Sequence, residues 1–220
     1  MKIVYNNKKT KLEKKSKDTW DLSVEWQGQT KKFWINFPFP LMKIIATDNI
    51  DEMNRKFTIK ADSIKPLKLF LKERKGKISY EDGMQFLFDI GNQIQTLERF
   101  SLGIPFIKIE DIIVIDNRHF FYLDDSKVLD INRITIDIEE PYKISMFFSP
   151  EFKNIKGLPA EISYKTSYYS LASLIAFCMF NRHIEVGNND ILKPIYTTKL
   201  YWALDRMLQD DPKDRFYLII

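Results

Sequence analysis

The chain has 220 residues, of which 45% are hydrophobic, 14% aromatic and 29% charged, the mixture of a folded rather than a disordered protein. A formal net charge of +4 is too small to argue for a nucleic-acid binder, and a single cysteine excludes an internal disulfide framework. The most apolar run, Leu171 to Phe180, falls well short of the ~20 residues that cross a bilayer, and Met1 to Asn7 has no apolar core of secretory-signal length. The expectation is a soluble protein of the cytoplasm, one generous domain or two small ones sharing an interface.

The first third reads as strands. Met1 to Tyr5 is short and apolar. Lys8, Lys9, Lys11, Lys14, Lys15 and Lys17 then crowd one segment with only Glu13 among them, which predicts a solvated loop or strand edge, or else a phosphate- or acid-binding patch. Trp20 to Trp26 and Lys32 to Phe37 alternate on either side of Gln27-Gly28-Gln29, the pattern of a hairpin. Leu41 to Ala46 and Lys56 to Ala61 predict two further strands joined by a polar loop over Thr47 to Glu52.

From Lys65 the period becomes helical. Ile64, Leu67, Phe70 and Leu71 recur at helical spacing up to a stop at Gly76, and Ser79 with Glu81 and Asp82 predicts the start of a long helix reaching Phe100. Ile107 to Ile115 and His119 to Leu123 predict short strands. An irregular stretch to about Pro159 precedes two apolar helices, near Tyr168 to Phe180 and Thr198 to Leu208. A small sheet followed by a helical lobe with an embedded hairpin is an α+β plan. Cys178 reads as core, and His119 and His183 as isolated.

Several segments, taken in order, resemble the protein kinases. Lys65 to Glu73 and the long helix after it are similar to the region following the kinase hinge. Ile104-Pro105-Phe106-Ile107-Lys108-Ile109-Glu110-Asp111 fits the catalytic-loop pattern H-R-D-L-K-P-E-N without a gap. Lys108 falls on the loop lysine and Asp111 on the metal-binding asparagine, whereas Phe106 takes the place of the aspartate and Ile104-Pro105 that of His-Arg. Asp124-Asp125-Ser126 resembles D-F-G, and Ser149-Pro150-Glu151 resembles A-P-E. Ser167 to Ala172 resembles D-x-W-S-L-G with Ser167 for the aspartate, and Leu208 to Arg215 resembles L-x-x-D-P-x-x-R.

The chemistry of that family is incomplete. Phosphoryl transfer depends on positioning and charge neutralisation, by a glycine-rich loop, a strand lysine held by a helix glutamate, an aspartate at the acceptor and metal ligands. No G-x-G-x-x-G occurs. Aligning Phe33-Trp34-Ile35-Asn36 with V-A-I-K would replace the lysine by Asn36 and put Trp34 where a small residue meets adenine. Between Phe37 and the strand expected at Met42 lie four residues, two of them proline, too few for the regulatory helix. With Ser167 beside an apolar loop, no polar anchor for that loop is expected. Glu151 and Arg215 remain, and the resemblance implies a buried ion pair between them.

The resemblance therefore implies an α+β, protein-kinase-like two-lobed fold, with a reduced β-sheet N-lobe over 1–64 and a mainly α-helical C-lobe over 65–220. It implies a catalytically inactive pseudokinase, a binding or scaffold module that acts on a protein partner and needs no cofactor. Asp111 and Asp124 are the vestigial metal candidates; the plainer reading is that Asp111 caps a turn and that Asp124 with Asp125 is a solvated loop pair. One alternative is a divergent active Ser/Thr-type kinase using ATP and Mg²⁺ on Asp111 and Asp124, with Lys43 or Lys60 on phosphate. Another is a basic peripheral binder of nucleic acid or membrane surfaces through Lys8 to Lys17. The abundance of Ile, Lys and Asn suits an AT-rich genome such as a viral one, which would place the protein in a host cytoplasm.

Overall fold

A computed structural model describes residues 3–35, 44–49 and 51–217. Among these the chain begins with an antiparallel sheet of five strands: β1 (Ile3–Asn6), β2 (Thr10–Lys14), β3 (Thr19–Glu25), β4 (Ile44–Asn49) and β5 (Asn54–Lys60). Their order is β1-β2-β3-β5-β4. Alternation drives the pairing. Leu12, Leu22, Phe57 and Ile59 turn to the buried face, and Leu12 stands opposite Leu22, which stands opposite Phe57.

Helix α1 (Gly28–Ile35) leaves β3 after Gly28, whose φ of +52° suits glycine. This corrects the expected hairpin. Phe33 and Trp34 are adjacent and both fully buried, as Thr30 is; a strand would turn neighbours to opposite faces, whereas positions i, i+3 and i+4 share one face of a helix. The partner of β3 is β5 instead. A helix thus lies between β3 and β4, earlier in the chain than the prolines that argued against one. Asn36, Phe37 and the four residues before Met42 lie outside the described residues. Thr47, Asp48 and Asn49 belong to β4 rather than to a loop.

Of the lysine-rich segment, Lys11 and Lys14 lie in β2, an inner strand and not an edge, while Lys8, Lys9, Lys15 and Lys17 lie in the turns that flank it. Lys11 pairs with Glu13, Lys15 approaches Asp21 at 3.8 Å, and Lys14 lies over the Trp20 ring.

In the remainder helices and short strands are interspersed. β6 (Ile64–Pro66) runs into α2 (Leu67–Glu73), and α3 (Tyr80–Arg99) starts at a capping box between Ser79 and Asp82. After β7 (Leu102–Gly103) come β8 (Ile112–Ile115) and β9 (His119–Tyr122), and β6 pairs with β8 across the 64/65 boundary. The segment expected to be irregular holds β10 (Leu129–Asn132), β11 (Thr135–Ile138), α4 (Pro150–Lys153) and β12 (Ala160–Ser163), with the sheet order β12-β11-β10-β7. The closing helices are α5 (Thr166–Phe180) and α6 (Lys199–Met207).

α5 is buried on nearly every side, which matches its apolar composition all round. Burying each of Leu171, Leu174 and Ile175 stabilises the fold by about 1.5–3 kcal/mol. α3 packs across α5, and Tyr217 lies so close over Gly91 that a β-carbon there would overlap its ring. Cys178 is buried among these helices, and burial pushes its thiol upward.

Candidate functional site

The β8–β9 hairpin brings Asp111 and Asp124 together. Its turn residues Asp116 and Asn117 both have positive φ, and the register sets Ile112 opposite Tyr122. One step further out, the Leu123 N–H donates to the Asp111 carbonyl at 2.9 Å. Thirteen residues of sequence thus become a short distance in space.

Between the two carboxylates lies an ammonium group that the sequence reading did not single out. Lys127, on the 3₁₀ turn Asp125–Lys127, donates to Asp111 Oδ1 at 2.6 Å and approaches Asp124 Oδ2 at 2.7 Å. The same ammonium stands 5.0 Å from the centre of the Phe106 ring, and that of Lys108 stands 4.8 Å from it. Asp111 Oδ2 accepts from the Lys108 N–H at 2.8 Å, so Asp111 also caps its own 3₁₀ turn, Ile109–Asp111.

The electrostatics follow from this arrangement. Burial pushes Asp111 up to about 6, against the pull of Lys127. Burial also opposes ionisation of Asp124, but Lys127, Ser126 and Asn7 outweigh it and hold that carboxyl below its ordinary range. For Lys127 burial favours the neutral amine, and the two acids together overcome it and raise its pKa. The triad is one cation shared by two acids, with the closer contact to Asp111.

The turn between β1 and β2 closes over these acids. Asn7 Nδ2 donates to Asp124 Oδ1 at 3.2 Å and to the Tyr5 hydroxyl at 3.2 Å, while Asn7 Oδ1 accepts from the N–H groups of Lys9 and Thr10. Asp125 Oδ2 accepts from the Thr10 hydroxyl and from the Trp34 indole N–H, each at 2.7 Å. Asp125 is therefore no solvated loop residue. It is buried, which raises its pKa, and three donors work against that rise. Trp34 serves as a donor on α1 rather than as a residue of a nucleotide-facing strand. Tyr5 and Tyr122 are both pushed upward, by burial and then by the acids, so they remain neutral phenols.

The remaining residues singled out from the sequence are spread around this centre. Ile104, Pro105 and Phe106 are buried, and the Phe106 ring packs against Phe148, Tyr142 and Phe152 with centroids 4.6, 4.9 and 5.5 Å away. Ser126 is exposed and donates to Asp124. Ser167 only donates to the Tyr164 carbonyl near its own helix start. Ser170, one helical turn later, reaches the loop: its Oγ accepts from the Ile107 N–H at 2.8 Å and donates to the Ile107 carbonyl at 3.2 Å. The loop does have a polar anchor, contrary to expectation, because its backbone groups are buried even though its side chains are apolar.

Arg215 and Glu151 form a two-bond pair at 2.6 and 2.8 Å. Lys60 is exposed at the end of β5, and Lys43 lies outside the described residues. His119 Nδ1 lies 3.4 Å from Asp89, and His183 stacks on Phe177.

Asp111 and Asp124 do not suit a resident divalent metal, since the Lys127 ammonium occupies the position between them and contacts both. Among the described residues no group of three or more His, Cys, Asp or Glu side chains could hold a metal ion, and no helix is long and apolar enough to cross a membrane. The class these features define is an α+β protein with small antiparallel sheets and a buried acidic centre bridged by one lysine. No family model matches the chain, and no curated protein is significantly similar to it.

Proposed function

We propose that this chain is a catalytically inactive protein-kinase-like module that works by binding a protein partner. The observation that carries the reading is Lys127, whose ammonium takes the space between the two carboxylates that fall on the kinase metal positions. A second carboxylate-binding cation would have to displace it from a buried, tethered position.

Two further observations support the same reading. A helix following the third strand suits the kinase order of strand lysine and then regulatory helix, yet β3 contains no lysine and α1 no acid, so in that alignment neither element supplies its member of the pair. Phe106, on the position of the aspartate that would face an acceptor hydroxyl, lies in an aromatic cluster and offers no acceptor.

The test is a thermal-shift series with ATP, ADP and Mg²⁺. A ligand of the native state at a hundredfold excess over its dissociation constant stabilises by about 2.7 kcal/mol. The expected result is an unchanged midpoint and no transfer of labelled phosphate. Transfer abolished by Asp124→Asn would overturn the reading in favour of a divergent active kinase.

A further inference from the structure

Between β11 and α4, and onward to Leu158, the surface opens into a groove of about 470 Å³. Ile138, Tyr142, Ile144, Phe148, Phe152 and Leu158 line it. The floor is preformed. Phe148 and Phe152 pack on each other with centroids 4.3 Å apart and on Phe106 beneath them. The Ser149 hydroxyl caps α4 by accepting from the Phe152 N–H, and Glu151 ties the same helix to buried Arg215. The walls are uncovered: Ile144 is 86% exposed and Leu158 40%. An apolar concavity with a rigid floor and solvated walls is a place where a partner gains by excluding water.

The charges on the lining select the partner. Lys153 and Lys156 stand against one acid, Glu140. Glu151, the acid of α4, is already engaged by Arg215. Among the described residues neither Lys153 nor Lys156 takes part in an ion pair. Burial also holds the Lys153 ammonium below its ordinary range, so an incoming carboxylate would restore it.

We propose that this groove docks an extended segment of a partner protein that carries a large apolar anchor, Leu, Met or Phe, with Asp or Glu within a few positions of it. The apolar anchor fills the space over Phe148 and Phe152, and the acid meets Lys153 and Lys156 at the rim. The proposal rests on the reading of the chain as a protein-binding module and names the surface and the chemistry that binding would use.

The test starts with random peptides displayed on phage and selected against the whole chain. Enriched sequences should share an apolar anchor flanked by acids. A synthetic peptide of the enriched sequence, followed by fluorescence anisotropy, should lose about tenfold or more in affinity to Ile144→Asp and to Leu158→Asp, both at exposed positions. Lys153→Glu combined with Lys156→Glu should reverse the preference toward anchors flanked by Lys or Arg, a gain that an unfolded variant cannot show. Selection without an acidic bias, or affinity indifferent to these substitutions, overturns the proposal. So does self-association in sedimentation that Ile144→Asp abolishes, which would make a second copy the occupant. Phosphate transfer by the unaltered chain would sink the inactive reading and leave the peptide result standing, so the two failures are distinguishable.

Discussion

The guanidinium of Arg215 is fully buried and grips both carboxylate oxygens of Glu151 across 64 positions of sequence. Its remaining donors reach the carbonyls of Gln209 at 2.6 Å and Asp210 at 2.8 Å, and its plane lies over the Tyr169 ring. One side chain therefore binds α4, α5 and the segment after α6 together.

Glu151→Ala should destabilise the protein by about 3–5 kcal/mol in a urea titration, because it leaves a buried cation without its counter-charge. Glu151→Leu combined with Arg215→Met should cost less than Glu151→Ala alone, since the double change removes the stranded charge as well. A single-substitution loss below about 1 kcal/mol, the range of an exposed pair, would mean that solvent reaches the guanidinium.

Lys127→Met takes the shared cation from Asp111 and Asp124. The Asp111 carboxyl should then titrate above its present value of about 6, as followed by carboxyl NMR, because Lys127 is the main influence holding it down against burial. Millimolar Mg²⁺ should raise the thermal midpoint of the variant and leave that of the unaltered protein unchanged. Equal responses to Mg²⁺ in the two proteins would show that the ammonium does not occupy the cation position.

Ser170→Ala and Ser167→Ala separate the two hydroxyls on α5. Ser170 satisfies both backbone groups of Ile107 in the interior, so its loss should cost about 1–3 kcal/mol. Ser167 makes one bond near its own helix start, and its loss should cost about 0.5–1.5 kcal/mol. Chemical denaturation of the two variants side by side reads the difference. The reverse order would return the loop-anchoring role to Ser167.

Glu98 sets a pH dependence. Burial pushes its carboxyl up to about 7 from an ordinary 4.5, and the hydrogen bond from the Tyr168 hydroxyl at 2.8 Å reduces that rise. The folded state thus keeps a proton that the unfolded chain releases, and stability falls as pH rises from 4.5 to about 7. Asp111 acts in the same direction between 3.8 and about 6. Glu98→Gln should gain midpoint relative to the unaltered protein across this window and hold a constant difference above it. A difference that stays flat from pH 5 to 8 would place the Glu98 titration elsewhere.

The α+β plan and most helices were legible because their signals are local. Ser79 and Asp82 announce α3, and the unbroken apolar run of α5 is that of a central helix. α1 was hidden, since eight residues are too few for a helical period to stand out and Lys32-Phe33-Trp34-Ile35 mimics alternation over so short a span. Asp111 and Asp124 were visible through the resemblance of their segments to the kinase catalytic loop and D-F-G triplet. Lys127 was not, because a lysine becomes an ionic bridge only when a 3₁₀ turn points it back at two acids, one of them 16 positions away. Asn7 and Thr10 were invisible for the same reason; they meet Asp124 and Asp125 only after the sheet has folded over the hairpin.

The bond from Asn7 to Asp124, with those from Thr10 and Trp34 to Asp125, fastens the β1–β2 turn, β2 and α1 to the segment after β9 at three points. Opening the molecule between these parts would break all three bonds together, at a cost of about 1–3 kcal/mol each because the acceptors are carboxylates. On the proposed reading the closed arrangement is the outline that a partner meets.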